Sequence, residues 1–87
     1  MPRLKAIVHV TLKPEVLDPQ GKAVRGSLRS LGFDEVADVR VGKLIEIALD
    51  GEPDAATARL EEMCKKLLAN PVIESYRYRL EPDEAAR

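Results

Sequence analysis

The sequence has no tryptophan, one cysteine (Cys64), one histidine (His9), one phenylalanine (Phe33) and two tyrosines (Tyr76, Tyr78) among 87 residues. One cysteine cannot form an internal disulfide, so a reducing, cytoplasmic compartment is expected. A metal site needs three or four ligands, and one imidazole with one thiol on separate elements does not supply them. His9 has no acid, serine or cysteine near it in sequence to complete a nucleophilic triad. No long apolar run is present, and the first thirteen residues alternate polar with apolar, so neither a membrane span nor a leader is expected. Charge of one sign is also lacking: 14 basic residues stand against 15 acidic ones. Without the acidic tail from Glu81 onward the balance is 13 to 12, too even for a nucleic-acid or membrane binder.

What is present is 45% apolar and 33% charged residues, enough for one folded domain, expected over residues 1–80 with a flexible tail at 81–87. A chain this short buries only ~60–65% of its unfolded surface, so a partner that adds burial is expected.

Leu4, Ala6, Val8, Val10 and Leu12 share one parity and predict a half-buried strand. Ile7 breaks its polar face and marks a contact surface. Asp18-Pro19 predicts a helix start, with Asp18 as the cap and Pro19 at the first helical position. Val24, Leu28 and Leu31 then repeat at helical spacing, and Gly32 is placed for the left-handed residue after the helix. Gly21 and Gly26 each cost ~1 kcal/mol against alanine there. They imply either a close backbone approach or a weak helix.

Val36 to Leu49 reads as a hairpin about Gly42-Lys43-Leu44, setting Val41 across from Ile45 and Arg40 across from Glu46. One long bulged strand is the other solution. Gly51-Glu52-Pro53-Asp54 opens a second helix, with Ala56, Leu60, Met63, Cys64 and Leu67 as its apolar stripe. Glu61–Lys65 and Glu62–Lys66 are favourable i,i+4 pairs. Asn70-Pro71 stops the helix, and Val72 to Leu80 is the last strand. The order β-α-β-β-α-β predicts an α+β two-layer sandwich, a four-stranded, mainly antiparallel sheet with two helices on one face. An RNA-recognition role is disfavoured because the central strands lack stacking aromatics. From the residues alone, the chain is an oligomer-forming module without chemistry of its own.

Three segments carry more. Val10 to Ala23, with its L-D-P-Q-G run, Val39 to Glu46, and Met63 to Tyr76, with its L-L-A-N-P-V-I-E run, are similar in order to the signatures of the PurS family. Leu44 departs from it, standing where relatives carry an aromatic. The resemblance implies the small subunit of phosphoribosylformylglycinamidine synthase, a glutamine-dependent ligase of purine biosynthesis, and so a part of an enzyme that is not catalytic by itself. It implies a homodimer or higher homo-oligomer that bridges a glutaminase subunit and an ATP-dependent synthetase subunit and supports ammonia transfer. ATP, Mg and glutamine would be used by those subunits, with no cofactor or metal held here. Asp18, Gln20, Gly21, Arg40, Gly42 and Lys43, where family signature meets positions outside the core, are the expected partner interface. A small-ligand regulatory domain of the ACT type is the rival reading.

Overall fold

A computed structural model describes residues 3–83. The chain runs β1 (Arg3–Leu12), α1 (Pro19–Ser30), β2 (Gly42–Asp50), α2 (Pro53–Met63), a π-helical turn (Cys64–Leu68) and β3 (Glu74–Pro82). Among the described residues the sheet has three strands, in the order β2-β1-β3, with β1 antiparallel to both neighbours.

The expected fourth strand is the main correction. Val36 to Val41 is not in the sheet, and Gly42-Lys43-Leu44 is the start of β2, not a hairpin loop. Thr11 faces Gly42, Val8 faces Ile45 and Ile7 faces Glu46 across the β1–β2 ladder. The 36–41 backbone finds other partners. Arg25 and Arg29 donate to the carbonyls of Ala37 and Val36, and the Val41 N–H donates to Asp18. Alternating valines in extended backbone resemble a strand, but side chains of the preceding helix satisfy this segment.

The parity of β1 holds: Leu4, Ala6, Val8 and Val10 are buried on the inner face. Leu60, Cys64 and Ala69 pack on them, joined by half-buried Ile45, Ile47, Leu49, Tyr76, Tyr78 and Leu80. Leu67 leaves the expected stripe and is 83% exposed. In the widened turn the Ala69 N–H reaches back five residues to the Cys64 carbonyl, at 3.0 Å. Each residue there advances less around the axis than in an α-helix, so Leu68 packs inward in place of Leu67. β3 begins at Glu74, two residues later than expected, and runs two residues past Leu80, placing Glu81 and Pro82 in the sheet. Asp83 follows, its N–H donating to the Arg3 carbonyl at 3.1 Å, and the rest of the expected tail, 84–87, lies outside the described residues.

Helix α1 begins and ends as its sequence dictates. The Asp18 carboxylate accepts from the Gly21 N–H, and Pro19 is the first helical residue. At the far end Gly32 takes φ of 101°, while the Gly32 and Phe33 amides return to the Arg29 and Leu28 carbonyls. Yet α1 does not cover the sheet. Its one buried residue is Gly21, and none of its apolar side chains joins the core. The radius of gyration is 16.7 Å, against about 12 Å for a compact chain of this length, and the thinnest dimension is only 15 Å.

The two helix glycines separate cleanly. A Cβ on Gly21 would run into the Val39 carbonyl oxygen and come within 2.7 Å of Asp18 Oδ2, whereas Gly26 has nothing within 4 Å. Gly26→Ala should therefore raise the thermal midpoint, by roughly 0.4–1 kcal/mol of stability, and Gly21→Ala should lower it. Paired melting curves followed by circular dichroism check the opposite signs.

Candidate functional site

The residues expected to meet a partner fall into two groups. Asp18 is 4% exposed although charged. Its Oδ1 accepts from the Gly21 N–H and its Oδ2 from the Val41 N–H, both at 2.8 Å. These bonds, the Val41 one foremost, with the nearby Arg40 charge, hold its carboxyl below the usual carboxylate range. Arg40 donates to the carbonyls of Lys13 (2.9 Å) and Val16 (3.1 Å), clasping the turn between β1 and α1. Gly42 lies against β1 so closely that a Cβ would stand 2.5 Å from the Val10 oxygen. Asp18, Gly21, Arg40 and Gly42 thus form one polar node joining β1, α1 and β2. Gln20 and Lys43 are exposed beside it. Lys43 makes only a loose pair with Glu74, at 3.8 Å, of the kind worth little in water.

The folded Asp18 holds its proton less readily than the unfolded one. The stability it lends is thus fully present above its unfolded value, and is lost as pH falls through the depressed folded value.

Pairing rules along a helix missed a second polar cluster. Glu62 pairs with Lys66 as expected, at 3.1 Å. Glu61 instead turns to β3, where its carboxylate accepts from Tyr76 Oη at 2.7 Å and Tyr78 Oη at 2.8 Å. The two rings are stacked with centroids 6.4 Å apart. Alternation put both tyrosines on one side of β3, and an acid on the facing helix was the available signal. The cluster ties α2 to the sheet's edge. Cys64 is fully buried beneath it, and burial pushes its thiol upward, as suits a core side chain.

A third feature is an unfilled apolar surface. Leu17, Val24, Leu31 and Phe33, on and around α1, are 38–74% exposed, and the inner side of β2 is only half-covered. Past α2, Leu67 is exposed beside a hollow of about 360 Å³ lined by Arg59, Met63 and Lys66, and Val72 is 77% exposed. Among the described residues, no three of His, Cys, Asp and Glu are grouped to hold a metal ion. No described helix is long and apolar enough to cross a membrane. The geometry is that of anchoring and docking.

The family profile described as PurS, phosphoribosylformylglycinamidine (FGAM) synthase, matches residues 5–82. The chain belongs to the PurS family. A Synechocystis phosphoribosylformylglycinamidine synthase subunit PurS is 51% identical over 81 residues, spanning 91% of this chain and 80% of its own. The Bacillus subtilis PurS structure superposes with a TM-score of 0.82 at 49% identity, covering 90% of this chain and 98% of that one. A chain in the PurLQS structure from Thermotoga maritima gives a TM-score of 0.85 at 32% identity, covering 93% and 100%. The two solved structures are matched over 98% and 100% of their chains, so the three-stranded sheet and both helices are the PurS fold.

The Glu61 cluster gives a test of the geometry. The bond to Glu61, then burial, pushes the Tyr76 phenol up to about 12, and Tyr78 is raised for the same reasons. With no tryptophan and only these two tyrosines, tyrosinate absorbance reports the cluster alone. Its rise should come later than the ordinary tyrosine value, and Glu61→Gln should move both midpoints back toward it.

Proposed function

We propose that this chain is the PurS subunit of phosphoribosylformylglycinamidine synthase, a part of a glutamine-dependent ligase that does no chemistry itself. The observation that carries the reading is its full-length match, in sequence and fold, to the PurS chain within a PurLQS structure. The molecule supports it physically. Polar side chains anchor α1 and α2, and apolar surface is left open around α1 and past α2.

That surface suits a second copy first. The apolar side of α1 and the half-covered inner side of β2 belong to one small chain, and each lacks the cover the other would provide. Two copies that each lay α1 on the partner's sheet would bury both, giving a homodimer or higher homo-oligomer. Such an assembly would join the glutaminase and synthetase subunits and support ammonia passage between them. ATP, Mg and glutamine then belong to those subunits, with no cofactor held here. Of the six interface residues, exposed Gln20 and the loosely paired Lys43 would face a partner. Asp18, Gly21, Arg40 and Gly42 shape the backbone that presents them. An ACT-type regulatory site has no observation in its favour.

Reconstitution tests this directly. Adding the chain to the synthetase and glutaminase subunits should restore glutamine-dependent formation of the amidine, and no restoration would contradict the reading. Val24→Glu with Leu31→Glu should shift the mass measured by light scattering from oligomer to monomer. The far-UV spectrum should be kept, because neither side chain is in the chain's own core.

A further inference from the structure

The outer face of the sheet, away from α2, carries Arg3, Lys5, Ile7, His9 and Thr11 of β1, flanked by β2 and β3. Most of its charges are matched. Arg3 pairs with Asp50, Lys5 with Glu46 at 3.0 Å, and Arg79 with Glu81 at 3.5 Å. Arg77 is the exception: it is exposed and has no ion pair among the described residues. Its cross-strand neighbour is His9, and the next register pair is Thr11 with Ser75. A guanidinium, an imidazole and two hydroxyls therefore sit side by side with no acid among them. Exposed Leu44 borders His9 on the other flank, and Ile7, only 8% exposed, lies next along β1.

Donors grouped in this way select an oxyanion, and the guanidinium fork matches a carboxylate. Size decides what carries it. The two hollows here, one over His9, Thr11, Ser75 and Arg77 and one over Ile7, His9, Arg77 and Arg79, are each about 200 Å³ and open. Small-molecule sites are concave and span roughly 300–1,000 Å³. A flat face with an unpaired arginine and an apolar border has instead the make-up of a protein contact.

We infer that the patch formed by His9, Thr11, Ser75 and Arg77 is the docking point for a carboxylate-bearing segment of another subunit of the complex. This rests on the functional reading above and adds the face and the chemistry of the contact. A desolvated arginine–carboxylate contact fixes register and resists dissociation, while the neighbouring paired charges gain nothing from a newcomer.

The test is affinity of the purified chain for the synthetase and glutaminase subunits, measured by biolayer interferometry at two salt concentrations. Arg77→Glu should weaken binding to one of them at least tenfold with the oligomeric mass unchanged. Arg77→Lys, which keeps the charge and the fold, should fall between. Unchanged affinity in Arg77→Glu would overturn the proposal while leaving the functional reading standing. A change of oligomeric mass would overturn it by assigning the face to a contact between copies. Saturable binding of inorganic phosphate at His9 and Arg77, seen by NMR at constant ionic strength, together with unaltered subunit affinity, would overturn it in favour of a small-molecule site. Failure of the unmodified chain to bind either subunit would overturn both readings.

Discussion

The Asp18 carboxylate is the constraint on which the arrangement of this chain depends. One oxygen caps α1 through the Gly21 amide, and the other holds the Val41 amide at the edge of β2. Nothing apolar does this work, because no hydrophobic side chain of α1 reaches the core. The helix is held by polar bonds at its start and along its length, from Asp18, Arg25 and Arg29. Gly21 is required by the same geometry, since only a residue without a Cβ lets the Val39 carbonyl pass so close.

This separates two tasks that most small domains combine. β1, α2 and β3 build a core around Val8, Val10, Leu60 and Cys64, locked at the edge by Glu61 and the two tyrosines. α1 is positioned but left uncovered and the inner side of β2 only half-covered, and the radius of gyration exceeds that of a compact chain. A subunit whose role is to join larger partners can carry such surface, because assembly supplies the missing burial. It needs no tuned acid, base or nucleophile.

Much of this was legible in the sequence. The parity of β1, the Asp18-Pro19 start, the Gly32 stop and the inward tyrosines of β3 follow from local rules that the tertiary structure obeys. The family resemblance rested on segments that do form one chain-long fold. Two features were not legible. Val39-Arg40-Val41 alternates like a strand, but whether extended backbone joins a sheet depends on which groups reach its amides, and Asp18 lies 23 residues before Val41. The apolar stripe of α1 also implied a cover on the chain's own sheet, since periodicity shows that a face is buried without showing by what. Among the site residues, sequence alone did not divide Gln20 and Lys43 from the hydrogen-bonded node beside them, because a residue type that caps or clasps is the same type that docks.

The central claim is that α1 and the half-covered side of β2 are anchored within one chain and fully covered only by another. Hydrogen exchange followed by mass spectrometry across a dilution series tests it most directly. Amides of α1 should lose protection as the oligomer dissociates, while those of β1 and α2 keep theirs. Equal protection of α1 in the dilute monomer would contradict the account.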